Sequence, residues 1–137
     1  MRIILDTNVF VSGVFFSGPP YAILDAWRHK RFQIVISPEI LAEYQRVGRE
    51  LATDFPEVDI VPILELLSVK ALLIKTPSLP RSVCTHSDDD KFLACAVAGE
   101  TKIIISGDKA LRKVSGYCGI EVLSPREFIN KYPESQS

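Results

Sequence analysis

Four acidic residues stand at positions where a carboxylate needs an explanation, and they determine what chemistry the chain can perform. Asp6 and Asp108 follow short aliphatic runs, in RIILD and IIISGD. Glu43 and Asp90 lie in stretches whose apolar residues recur at helical spacing. Burying an isolated carboxylate is costly or forces it to take up a proton. Acids that gather in one crevice therefore require a compensating positive charge.

Polar groups follow two of the aliphatic runs. Asp6, Thr7 and Asn8 come directly after RIIL, and Ser106 and Asp108 come after III. Taken singly, each group could open a turn or cap a helix without any further role. Two such groups in one chain favour a functional interpretation.

The stretch SDDDKFLACA places three consecutive acids before an apolar run. Asp88 and Asp89 suit the first turn of a helix, where acids interact favourably with the helix dipole. Asp90 differs because Leu93 and Ala94, its neighbours on the same helical face, are apolar. The sequence therefore ranks Asp90 before Asp88, and Asp88 before Asp89, as the acid that points inward.

Glu43 flanks the apolar stripe of its predicted helix. At about 100° per residue it lies roughly 60° from Ile40 and roughly 40° from Val47 on the helical wheel. Arg46 and Arg49 lie farther round, on the solvent side. Glu43 is thus either an acid at the edge of the stripe that reaches solvent or a member of an inward-facing group.

Carboxylate oxygens are the ligands that Mg²⁺ and Mn²⁺ prefer. Mg²⁺ in particular takes one or two carboxylates, keeps several waters and leaves positions for substrate phosphate oxygens. If the four acids converge, the chemistry indicated is metal-assisted phosphoryl transfer with water as the attacking group.

Alternating strands and helices must position these residues. The predicted strands are RIILD, QIVIS, ALLI, KIIIS and GIEVLS. Helices are predicted in GPPYAILDAWRHK, after Ser37-Pro38, within 52–70, after the three acids, in GDKALRKV and in SPREFINKY, where Ser124 and Glu127 form a capping box. Such alternation is typical of an α/β protein with a parallel sheet covered on both faces. Ligands bind such sheets at the carboxyl ends of the strands.

The composition sets the wider limits. With 137 residues, 47% of them hydrophobic and 24% charged, the chain is expected to form a single domain over 1–137, with a core at about 1–128 and a short polar tail. A net charge of −1 argues against a strongly basic nucleic-acid binder. Cys84, Cys95 and Cys118 are expected to be free thiols. No signal peptide or membrane span is predicted, which favours the cytoplasm.

Four motifs in order, LDTN, SPEILAEY, DDDKFLACA and IISGDKAL, resemble those of the PIN-domain family, specifically its toxin components of toxin–antitoxin pairs. The resemblance implies a three-layer α/β/α fold with a five-stranded parallel sheet in the order 3-2-1-4-5. It also implies a ribonuclease site that uses Mg²⁺ or Mn²⁺. It assigns the catalytic and metal-binding acids to Asp6, Glu43, Asp90 and Asp108, with Asp88 in reserve, and the supporting positions to Asn8 and Ser106.

The same resemblance implies the partners: an RNA substrate, a protein antitoxin and a second copy in a homodimer. Lys109, Arg112 and Lys113 follow Asp108 and are candidates for RNA phosphate contacts, although a solvated helix face explains them equally well. The apolar segment Val14–Pro20 is a departure from the family pattern that could shape substrate access or a dimer surface.

Two rival functions remain open at this stage. A phosphatase with Asp6 as nucleophile would need a second acid where Asn8 stands, and no matching lysine motif is evident. A PIN-fold protein that binds RNA or acts as a scaffold without cutting is the other rival. The presence of all four acids argues against a degenerate scaffold.

Overall fold

Five short strands alternate with helices along the chain, and the computed structural model describes residues 1–77, 79 and 81–133. The strands are β1 (Arg2–Leu5), β2 (Gln33–Ile36), β3 (Leu72–Leu73), β4 (Ile103–Ile105) and β5 (Glu121–Leu123). The helices are α1 (Thr7–Phe15), α2 (Pro19–Arg28), α3 (Pro38–Ala52), α4 (Val61–Lys70), α5 (Asp90–Ala98), α6 (Lys109–Arg112) and α7 (Pro125–Lys131), with 3₁₀ turns at Ser87–Asp89 and Tyr117–Gly119.

The strands form one parallel sheet in the order β3-β2-β1-β4-β5. The predicted fold class and strand order are thereby confirmed. The order reverses at β1, which pairs with β2 on one side and β4 on the other. The carboxyl ends of these strands share one edge of the sheet, and the crevice at such a reversal is where parallel α/β sheets bind ligands.

The central strands are buried on both faces, as expected for a parallel sheet covered by helices. Ile3, Ile4 and Leu5 are fully buried, as are Ile104 and Ile105. Burying an aliphatic side chain of this size contributes about 1.5–3 kcal/mol. Apolar burial thus fixes β1 and β4 side by side and with them the residues that follow each strand.

One helix was not predicted from the sequence. Residues 7–15 form α1, where Val9, Phe10, Val11 and Val14 give a nearly continuous apolar run without helical periodicity. The helix predicted within 52–70 forms at Val61–Lys70, with Pro62 in its first turn, as expected.

Among the described residues no single helix is long and apolar enough to cross a membrane, and α1 and α2 meet that test only as a pair that is bent by 86°. Cys84, Cys95 and Cys118 are free thiols, as the sequence predicted.

Candidate active site

Asp6 lies at the end of β1 and is almost completely buried, with 7% of its surface exposed. Its backbone N–H donates to the carbonyl of Ile105, which continues the pairing of β1 with β4. Its Oδ2 accepts a hydrogen bond of 2.6 Å from the hydroxyl of Ser106. Burial raises the pKa of Asp6, and the charges of Asp108 and Glu43 raise it further against the opposing hydrogen bonds.

Asp108 comes two residues after Ser106 and caps α6. Its Oδ1 accepts from the N–H of Ala110 at 2.9 Å, and its own N–H donates to Ser106 Oγ at 3.0 Å. The fully buried Ser106 therefore links the residues that end β1 and β4, since it donates to Asp6 and accepts from Asp108.

Glu43 faces inward from α3, with 14% of its side chain exposed. Oε2 accepts a hydrogen bond from the hydroxyl of Thr7, and Oε1 lies 2.7 Å from Nζ of Lys91. The next residue, Tyr44, is fully buried, donates its hydroxyl proton to the carbonyl of Leu5 and stacks on Phe10. This hydrogen bond and ring stacking hold α3 against the end of β1. Glu43 is thereby placed beside Asp6, the residue that follows Leu5.

The third acid at this edge is Asp89. Burial raises the pKa of Asp89 to about 6, and the charges of Asp6 and Asp108 contribute to the rise. Asp89 lies at the start of α5, on the helix that covers β1 and β4. Asp6, Asp89 and Asp108 thus share one region of negative potential, with Glu43 coupled to it through Asp6.

Asp90 does not face this group, which corrects the orientation predicted from the sequence. Its Oδ1 accepts hydrogen bonds from the N–H groups of Cys84 at 2.8 Å and Val83 at 3.2 Å. Although burial raises the pKa of Asp90, these hydrogen bonds lower it below its usual value. The physical reason is that Asp90 stands in the first turn of α5, where the N–H groups of the preceding loop reach its carboxylate, a tertiary contact that helical spacing does not reveal.

The reserve acid Asp88 points to solvent, with 82% of its side chain exposed. Its hydrogen bond with Lys91 lowers its pKa. Asn8 is also exposed, on the first turn of α1. Asn8 thus stays at the surface, whereas Asp88 adjoins Glu43, with which it shares the ammonium group of Lys91.

The candidate phosphate contacts separate into two kinds. Lys109 and Lys113 are exposed on or beside α6. Arg112 is directed towards α7, where its NH1 lies 3.5 Å from Oε1 of Glu127. The two lysines therefore remain the more accessible cations next to Asp108.

Thr7 and Lys91 contact the site although the sequence did not single them out. Thr7 is buried in the LDTN motif and donates to Glu43, a contact that only the packing of α1 on α3 reveals. Burial lowers the pKa of Lys91, but its hydrogen bonds with Glu43 and Asp88 outweigh this and raise it. The position of Lys91 directly after three acids could have indicated an ion pair at the site. A solvent-exposed lysine fits the same sequence equally well.

The donor set suits a hard divalent cation, since it consists of carboxylate oxygens. Burial, and to a smaller extent mutual repulsion, raises the pKa of Asp6 and Asp89. Within residues 1–77, 79 and 81–133, no three Asp, Glu, His or Cys side chains are already drawn together tightly enough to hold a metal ion. A bound cation would therefore have to draw the carboxylates closer together. Electrostatic attraction between the cation and the carboxylates favours this movement.

The fold and the acidic edge define an α/β protein whose candidate site lies at the strand-order reversal, where such proteins bind ligands. The family model for the PIN domain matches residues 2–110, and the chain belongs to the PIN-domain family. The resemblance in the motifs is thereby confirmed, and the function it indicates is of the nuclease type. No curated protein matches the chain closely enough to count as a relative.

Proposed function

We propose that the chain is an endoribonuclease that uses Mg²⁺ or Mn²⁺ to hydrolyse RNA phosphodiester bonds. The observation that carries the proposal is the gathering of acids at the carboxyl edge of the sheet, where Ser106 hydrogen-bonds to Asp6 and Asp108. Thr7, the residue after Asp6, donates to Glu43, and the charges of Asp6 and Asp108 contribute to the raised pKa of Asp89. Repulsion between the buried Asp6 and the half-buried Asp89 and Asp108 destabilises the fold, so its presence in a crevice indicates a cation-dependent function.

Asp6, Asp89 and Asp108 are the residues that would hold the metal, with Glu43 adjoining them. A divalent cation bound there supplies charge stabilisation for the phosphate and acidifies a bound water. Ser106 orients one oxygen of Asp6 and fixes the backbone before Asp108. The burial of Asp6 strengthens its attraction for a cation because the surrounding dielectric is low.

Substrate binding would involve Lys109 and Lys113, since both are exposed beside Asp108. Phosphate contacts of this kind position a nucleic acid without reading its sequence. Such contacts suit a substrate whose reacting phosphate lies over the acids.

The biological role that we propose is that of a toxin silenced by a protein antitoxin, in the cytoplasm and as a homodimer. This part of the proposal is supported by the resemblance of the four motifs to the toxin components of the family.

The test is cleavage of an end-labelled single-stranded RNA by the full chain with Mg²⁺ or Mn²⁺, and with EDTA. We expect cleavage that EDTA stops, and a loss of about 10²-fold or more in Asp6→Asn and Asp108→Asn, because each removes charge that stabilises the transition state. Activity that survives both substitutions would come from a contaminating nuclease and would refute the proposed site. RNA binding without cleavage would favour the scaffold function instead.

A further inference from the structure

Lys91 has more contacts with acids than a solvated surface lysine would have. Nζ lies 2.7 Å from Oε1 of Glu43, 3.1 Å from Oδ2 of Asp88 and 2.9 Å from the backbone carbonyl of Asp88. Its side chain is only 15% exposed. An ammonium group has three donors, and three acceptors surround this one. Lys91 is therefore a fixed positive charge at the edge of the acidic group.

Glu43 differs from the other three acids of the group in having a cation in contact. Among the described residues, Glu43 is the member of the group that forms ion pairs, at 2.7 Å with Lys91 and at 3.9 Å with Arg46. Its second carboxylate oxygen accepts the hydroxyl proton of Thr7. Both oxygens of Glu43 are thus engaged by the protein itself, and a metal ion that approached this carboxylate would meet the ammonium group of Lys91.

Two-metal phosphoryl-transfer sites place their ions about 3.5–4 Å apart and rely on carboxylates to neutralise both. Here an ammonium group already stands against the carboxylate that a second ion would need. The Lys91–Glu43 pair is 15% and 14% exposed, so opening it would leave both charges poorly solvated.

We propose that Lys91 takes the place of a second divalent cation, so that the site binds one metal ion through Asp6, Asp89 and Asp108 while Glu43 serves as a positioning residue. The proposal rests on the proposed function, because it presupposes the metal site. To the proposed function it adds the number of metal ions bound and the residue, Lys91, that limits this number to one.

The experiment is a titration of the full chain with Mn²⁺, in which the electron paramagnetic resonance signal of free Mn²⁺ reports the number of ions bound. Wild type is expected to bind one ion. Lys91→Met keeps the length of the side chain but frees Glu43, and is expected to bind a second, weaker ion. Lys91→Arg restores the positive charge and should return the number to one.

Two further variants keep the result independent of folding effects at Lys91. Glu43→Gln should still bind one ion, with a Kd raised by about 10- to 100-fold, the range for groups that orient a metal's ligands without touching the metal. Lys91→Met combined with Glu43→Gln should lose the second site again. Lys70→Met is the matched control for a lost positive charge, because Lys70 is exposed at the end of α4, before the amino end of β3.

The outcomes separate the two proposals. Two ions bound to wild type, one ion of unchanged affinity bound to a folded Lys91→Met, or loss of binding in Glu43→Gln would each overturn the role of Lys91 while the metal site stands. Absence of Mn²⁺ binding in wild type would overturn the metal site itself, and the role of Lys91 with it.

Discussion

At the scale of single residues, the site holds charge at the expense of stability. Burial and the neighbouring acids raise the pKa of Asp6 and of Asp89, which means that each carboxylate is harder to ionise in the folded chain than in water. Asp88, next in sequence to Asp89, has the opposite shift because it pairs with Lys91. Adjacent aspartates therefore make contributions of opposite sign to the free energy of unfolding.

Replacing Asp89 by Asn is expected to stabilise the metal-free protein at neutral pH. With a pKa raised from 3.8 to about 6, the folded chain holds more protons on Asp89 than the unfolded chain does between these values. The free energy of unfolding of wild type should therefore fall, relative to that of Asp89→Asn, as the pH rises through this window. Chemical denaturation of both proteins from pH 3.5 to 7.5, with EDTA present, measures the difference.

Asp88→Asn is the matched comparison. The lowered pKa of Asp88 means that its carboxylate stabilises the fold above its ordinary pKa and loses that contribution as the pH falls, so this variant should be less stable than wild type at pH 7. A stabilised Asp88→Asn together with a destabilised Asp89→Asn would reverse the assignment of the two side chains.

The sequence singled out Asp6, Glu43 and Asp108, but it ranked Asp89 last among the three consecutive aspartates. Strand ends marked Asp6 and Asp108, whereas the helical wheel left open whether Glu43 reaches solvent or faces inward. Asp89 and Asp90 are adjacent, yet Asp89 ends the 3₁₀ turn, whereas Asp90 begins α5 and accepts from the N–H groups of Val83 and Cys84. Those donors come from a loop whose path is not encoded by periodicity.

At the scale of elements, the site depends on how α3 is attached to β1. Tyr44 makes that attachment through its hydrogen bond to the carbonyl of Leu5 and its stacking on Phe10, with ring centroids 4.3 Å apart. Asp6 follows Leu5 and Glu43 precedes Tyr44, so one buried tyrosine sets the distance between two of the acids.

Tyr44→Phe is expected to lower the free energy of unfolding by about 1–3 kcal/mol, because the hydroxyl is lost and the buried carbonyl of Leu5 loses that donor. Cleavage should also weaken, as Glu43 is held less firmly. Denaturation by urea measures the first effect. Tyr21→Phe, at an exposed tyrosine of α2, should change stability by no more than about 0.5 kcal/mol; equal losses in the two variants would contradict the role of Tyr44.

The regular elements were predictable where a local signal marked them. Ser37 and Ser124 cap α3 and α7, each before a proline, and both caps form as the sequence indicated. Helix α1 follows an aspartate, Asp6, but the side chain of Asp6 makes no capping hydrogen bond, and neither a proline nor apolar periodicity marks the start of the helix. Its formation is decided by packing on α2 and α3, which is tertiary.

At the scale of the whole molecule, the sheet order assembles the site from distant parts of the chain. Ser106 and Asp6 are 100 residues apart and share a hydrogen bond because β4 pairs directly with β1. The strand order could be anticipated only through the family resemblance, because burial patterns show that strands exist and not which ones are neighbours.

Metal binding should therefore stabilise the whole fold. A ligand that binds only the folded chain adds about 2.7 kcal/mol when its concentration is 100 times its Kd. We expect Mn²⁺ to raise the Tm of wild type by several degrees, reversibly with EDTA, and to leave the Tm of Asp6→Asn almost unchanged. Asp54→Asn, at an exposed acid, should respond as wild type does. An identical rise in all three proteins would indicate binding elsewhere.

The most direct test of the central claim is the rate of RNA cleavage by Asp89→Asn and Asp90→Asn, prepared and assayed side by side with wild type in Mn²⁺. Asp89→Asn should lose about 10²-fold or more, since it removes a charge from the acidic group. Asp90→Asn should stay within a few-fold of wild type, because its side-chain oxygen can still accept from Val83 and Cys84. The opposite order, with Asp90→Asn inactive and Asp89→Asn active, would contradict the account.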